Sequence, residues 1–218
     1  MAPFRDDPFQ RTRAFQRGAT IGALVMTSAG AAWAFIGLAL HEGSPTWAFV
    51  VVGVVVLALL VAAVSRFPAI ARSPVPSVSA ELAEANARRG RRVGIWFGVT
   101  FTAEAMLIGA SGALLGRSGR PLLVPIAVAA IFGLHLLPLA KVLGMRVYTV
   151  TGWVIAGGAA LSLAIADDRA RIFDLAMVVA VVLWICAGRI LVRYATPREE
   201  AAGPVGGSGA TARTPSRS

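Results

Sequence analysis

Residues 46–64 read TWAFVVVGVVVLALLVAAV, a run without a single charged side chain. As a helix rising 1.5 Å per residue it is about 28 Å long, close to the ~30 Å hydrocarbon core of a bilayer. Lipid offers no partners to backbone N–H and C=O groups, so an open run of this kind must be helical. Further apolar runs cover residues 18–40, 93–115, 122–140, 147–166 and 172–192. A water-soluble bundle would need a polar face on each helix, and these runs are apolar nearly all the way round. The fold class expected is therefore all-α: a polytopic membrane bundle of six transmembrane helices within residues 17–194. The first run follows arginines as a signal peptide would, but it is too long for an h-region and reads as a retained span.

Basic residues set the orientation. Of the 21 Lys and Arg residues, 17 fall in the arm before the first run, in the second and fourth loops, or around and beyond the end of the last run. Only Arg117, Arg120, Arg169 and Arg171 fall on the other side. The positive-inside bias then places both termini in the cytoplasm. The net charge of +10 is thus a topology signal, and without interleaved stacking aromatics it does not point to nucleic acid. Trp47, Trp96, Tyr148 and Tyr194 fall at the ends of the runs, where amphipathic rings favour the headgroup zone. Trp184 falls mid-run and reads as a packing or lipid-facing residue, and Cys186, the single cysteine, reads as a small packing residue that excludes an intrachain disulfide or cysteine-built zinc site.

Three segments lie outside the bilayer. Residues 1–16 and the Gly/Pro/Ser-rich residues 195–218 have the composition of disordered cytoplasmic extensions. In the cytoplasmic loop 65–92, the Pro74/Pro76 stretch should be extended, and Ser79 should cap a short helix through Ala87 that carries a Glu84/Arg88 pair. Arg88, Arg89, Arg91 and Arg92 then meet the membrane, where each attracts anionic lipid headgroups by about 1 kcal/mol.

Offsets of 76 and 54 residues align Gly22/Gly98/Gly152, Ala29/Ala105/Ala159, Ala34/Ala110/Ala164 and Val52/Val128/Val182, suggesting three parallel helical-hairpin repeats. Small residues mark close-approach surfaces, because helix association in lipid relies on van der Waals contact. Gly98, Gly109 and Gly112 belong to one such stripe, with Gly18/Gly22 and Gly94/Gly98 near the cytoplasmic ends. Packing within the chain is the default use of these surfaces, and homo-oligomerisation is the alternative.

Glu104 and His135 are the strongest ionisable candidates deep inside runs. Counted back from the loop between their helices, they lie about 18 and 21 Å from the outer border, so antiparallel neighbours could bring them together. A lone central charge costs about 2.5–3.5 kcal/mol, which a mutual contact relieves. Thr100 and Ser111 stand one turn before and two turns after Glu104, and Pro138 removes the donor that would meet the Leu134 carbonyl. Such a site could bind a proton or small solute, or lock two helices together.

The stretch Gly133-Leu134-His135-Leu136-Leu137-Pro138-Leu139-Ala140, with Glu104, Tyr148 and Gly152, resembles a family of uncharacterised bacterial six-span membrane proteins that carry a Gly-x-His-Phe-x-Pro-Leu-Ala pattern. Leu136 replaces the Phe. The resemblance covers residues 93–165 and implies a bacterial cytoplasmic membrane location without an assigned activity. A fainter similarity, of architecture only, is to acid-resistance membrane proteins built from hairpin repeats.

Phosphate-binding glycine loops, zinc-protease helices and nucleophile elbows are missing, so neither enzyme chemistry, nor a cofactor, nor a metal is expected. The charged cluster Asp167, Asp168, Arg169, Arg171 and Asp174 reads as a solvated rim with local ion pairs. The functional expectation is movement of protons or a small solute past Glu104/His135, against a scaffold or assembly role in which the pair is structural. The partners expected are the lipid bilayer, its anionic headgroups and a second copy of the chain. A reporter active only in the cytoplasm, fused after Ser218, should be active in cells; activity solely from a periplasm-dependent reporter would reverse the orientation.

Overall fold

A computed structural model describes residues 8–72 and 79–194. The described residues form helices α1 (Arg13–Leu40), α2 (Thr46–Val64), α3 (Arg66–Arg72), α4 (Ala80–Arg117), α5 (Val124–Leu143), α6 (Arg146–Ser162) and α7 (Asp168–Arg193), with 3-10 turns at Pro8–Arg11 and Pro121–Leu123. Five of these segments are long and apolar enough to cross a membrane. The helices are those of a multi-pass membrane protein: α2 is apolar on every side, and Val50, Val54, Leu57 and Val61 lie exposed along it.

Local chemistry explains most helix boundaries. Thr12, Ser79 and Asp167 each accept a bond from the backbone N–H three residues on, Phe15, Leu82 and Ala170, and so cap α1, α4 and α7. Gly119 and Gly144 end α4 and α5 with φ of 71° and 66°, a left-handed turn that a side chain would strain.

Three boundaries differ from the sequence expectation. Among the described residues of the N-terminal arm a 3-10 turn begins at Pro8 and α1 at Arg13, where Phe9 and Phe15 stack edge-on at 5.5 Å and are both buried. Residues 1–7 and 195–218 lie outside the described residues, as does the extended stretch 73–78. The helix capped by Ser79 does not stop at Ala87 but runs unbroken through Arg88–Arg92 into the apolar segment, since nothing in that stretch breaks it and the Glu84–Arg88 pair at 3.1 Å supports it. Helix α6 ends at Ser162, short of the expected Ala166. Its last carbonyls are taken up in tight turns, and the Arg171 guanidinium donates to the Ile165 carbonyl while pairing with Asp168 at 2.7 Å.

The core is a seam between α1 and α7. Along α1 the buried residues Ala19, Ala23, Met26, Gly30, Ala34 and Gly37 recur at steps of three, four and seven, and Ala176, Ala180 and Ala187 do the same on α7. Phe15 meets Tyr194, Thr27 meets Trp184, Gly30 meets Ala180, Gly37 meets Ala176 and His41 meets Phe173, so the helices are antiparallel. A Cβ on Gly30 would lie 2.6 Å from the Trp184 indole nitrogen, which donates to the Thr27 carbonyl at 3.3 Å. Trp184 is therefore a packing residue. Cys186 is a buried free thiol in the same seam.

A second close contact joins α5 to α6. Cβ atoms on Gly133 and Gly152 would each come within 2.6 Å of the partner helix backbone. The glycines singled out from sequence behave differently: only Gly22 has a close neighbour, the Tyr148 hydroxyl at 3.0 Å from an added Cβ, whereas Gly18, Gly94, Gly98, Gly109 and Gly112 have nothing within 4 Å. Tyr148 is correspondingly buried against α1 instead of facing headgroups. Close approach is thus decided by which helices meet, and α4 has few neighbours. Gly152→Ala should cost about 1–3 kcal/mol by forcing backbones apart, while Gly109→Ala should be neutral or stabilise by up to about 1 kcal/mol; denaturant unfolding in micelles checks the opposite signs.

Candidate functional site

Helix α4 packs chiefly on α5. Its partly covered residues Val93, Thr100, Ile108, Ser111 and Leu115 share one face at three-, four- and seven-residue steps, with Glu104 at the centre. Glu104 is the one buried residue of the helix among the described residues. At 100° per residue, Gly98 and Gly109 lie about 120–140° round from Glu104 and stay open, while Gly112, about 80° round, is half-covered with no neighbour close to an added Cβ.

His135 comes from the opposite side of α5 to the glycine contact. Gly133 and Leu136 face α6, whereas Phe132 and His135 lie one turn apart and meet edge-on at 5.0 Å between ring centroids. The His135 Nδ1 stands 3.4 Å from Glu104 Oε1, with the two side chains only 10 % and 7 % exposed. The separation is slightly longer than a strong N–H···O bond, and His135 Nδ1 has no fully formed hydrogen bond among the described residues. Carboxylate with imidazolium, or carboxylic acid with imidazole, both sum to zero charge, so one proton between the two groups avoids a lone buried ion.

The other expected members are not recruited. The Thr100 hydroxyl donates to the Trp96 carbonyl at 2.7 Å and the Ser111 hydroxyl to Ile108 at 2.9 Å, each within α4. Short hydroxyls in a helix reach the preceding turn more readily than a neighbouring helix. Pro138 lies inside α5, three residues beyond His135. In the distant charged cluster Arg171 pairs locally with Asp168 and Asp167 caps α7, whereas Arg169 reaches beyond the cluster to Glu42 in the α1–α2 turn.

Two surface hollows lie elsewhere. One, of about 540 Å³, runs between α6 and α7 along Trp153, Gly157, Leu161, Ser162 and Val178, and the other lies on the arginine run of α4. Sequence reasoning also missed the Trp184–Thr27–Gly30 contact and the buried Tyr148. The signal for the first was present in the heptad spacing of Ala19, Ala23, Gly30 and Gly37; nothing local marked the second.

The chain matches no family model, no curated protein and no solved structure. Its chemistry therefore rests on the geometry alone. A double-mutant cycle with Glu104→Ala and His135→Ala should give a coupling of about 1 kcal/mol, typical of a polar contact between membrane helices, read from unfolding in bicelles; coupling of zero would mean that the groups do not interact.

Proposed function

We propose that the protein is a non-transporting, multi-pass component of a bacterial plasma membrane, with six spans and cytoplasmic termini, in which the Glu104–His135 pair is a polar clasp holding α4 to the bundle. One observation carries this reading: among the described residues the only buried residue of the 38-residue α4 is a glutamate, and it lies against a histidine of the helix on which α4 chiefly packs. A helix that gains nothing from burying apolar groups in lipid needs packing or a polar contact to stay in place, and α4 has little packing. The exposed apolar surfaces of α2 and α4 suit a component surrounded by lipid and open to neighbours in the membrane. The cytoplasmic orientation rests on the arginine distribution, and six spans require α6, at 17 residues, to cross as well. That length lies at the short end of the spanning range.

Proton-linked movement past the pair is the second reading, favoured by the buried imidazole nitrogen at 3.4 Å from a carboxylate in mid-membrane. Proteoliposomes with an internal pH dye separate the two. The clasp predicts proton flux no greater than in protein-free vesicles, with Glu104→Gln and His135→Ala each lowering unfolding stability by about 1–2 kcal/mol. Flux that the folded Glu104→Gln protein loses would overturn the clasp in favour of proton movement.

A further inference from the structure

Helix α4 carries an arginine cluster whose members the fold separates into two roles. Arg89 lies with its guanidinium 4.7 Å over the Phe9 ring, a cation–π contact that ties the N-terminal segment to α4. Arg88, Arg91 and Arg92 turn away from it and, with Ile95 and Trp96, line a hollow of about 240 Å³. Arg88 is steadied by Glu84 at 3.1 Å, and both side chains are about two-thirds exposed. Among the described residues Arg91 and Arg92 have no carboxylate partner, so the hollow keeps a net positive charge.

The same line of the helix continues as apolar surface. At 100° per residue, Ile95, Val99 and Met106 lie within about 20° of Arg88, and they are 62 %, 55 % and 70 % exposed. From Arg92 to Met106 is about 21 Å along the helix, more than the ~15 Å depth of one leaflet's hydrocarbon. Trp96, half-exposed, sits between the charged and apolar parts, where an indole favours the interface. Forked guanidinium donors match phosphate oxygens in geometry as well as charge.

We propose that Arg88, Arg91 and Arg92 form a binding site for the phosphate headgroup of an anionic phospholipid, whose acyl chain lies along Ile95, Val99 and Met106. Charge complementarity selects an anion, and the exposed apolar track directly below it selects a lipid over a soluble phosphate. The site is independent of the Glu104–His135 clasp, which lies on another face of α4.

Native mass spectrometry of the full chain, titrated with phosphatidylglycerol or phosphatidylcholine in detergent, tests it. The intact protein should retain phosphatidylglycerol in preference to phosphatidylcholine. Replacing Arg88, Arg91 and Arg92 together by Gln should weaken phosphatidylglycerol retention about tenfold or more, with helical content by circular dichroism unchanged. A comparator that loses the same charge at Arg17, Arg66 and Arg72 should stay within about twofold of the parent chain, since diffuse charge adds little beyond a Debye length. Equal losses in the two variants would replace the site by a diffuse basic field and overturn the proposal. So would unchanged retention in the first variant, or inorganic phosphate alone binding as tightly as phosphatidylglycerol.

Discussion

Helices in hydrocarbon gain nothing by hiding apolar side chains from lipid, so this bundle depends on how closely its backbones can approach one another. The closest approaches are made where a Cβ has no room: Gly30 and Gly37 on α1 against α7, and Gly133 against Gly152 between α5 and α6. Around these points the small residues Ala23, Ala34, Ala176 and Ala180 are wholly buried together with Leu136, Ile155, Leu183 and Ile190, while Val50, Val54, Leu57 and Val61 turn outward to the surroundings. Small residues thus set the closest contacts, while large apolar residues divide between the core and the surface.

Polar groups inside the bundle follow from the same medium. The buried Thr20 and Thr27 hydroxyls donate to Gln16 and Ala23 carbonyls at 2.9 and 2.8 Å, and the Trp184 indole reaches the Thr27 carbonyl. Each finds a partner within its own or the adjacent helix, as a solvent without hydrogen bonds requires. Glu104 and His135 approach to 3.4 Å at the edge of the bundle, where α4 meets α5, without a fully formed hydrogen bond at His135 Nδ1 among the described residues, and in the proposed reading the pair governs the placement of that one helix. Helix α4 is consequently attached at few points, through α5 along its apolar length and through the Arg89–Phe9 contact near its start.

The two ends of the molecule are joined by different forces. At one end Gln10 reaches the Gly144 carbonyl and Phe15 stacks on Tyr194, so the described part of the arm that looked unstructured by composition is held by tertiary contacts. At the opposite end Glu42 pairs with Arg169 and His41 lies on Phe173, tying the α1–α2 turn to the start of α7. The ion pair is exposed and contributes little to stability, so it guides register more than it holds the fold. Gly22, Gly98 and Gly152, which the expected repeat aligns, have three different surroundings, respectively near Tyr148, open, and against Gly133.

By itself the sequence determined the solvent, the helices and their approximate limits, because lipid imposes one length and one hydrogen-bonding solution on every span and those demands are written locally. It also placed Glu104 and His135 at a common depth, since depth depends only on counting from a shared turn. Which faces meet was decided by tertiary structure alone. Gly98 and Gly109 look like packing glycines and are open, whereas Gly30 and Gly133 are the ones pressed against neighbours. Likewise the four arginines at residues 88–92 are chemically equal in sequence, and only the rotation of α4 against Phe9 sends Arg89 one way and its neighbours another. Rotation of a uniformly apolar helix costs nothing locally, so its phase is set by the shapes of the partners and cannot be read from one strand of text.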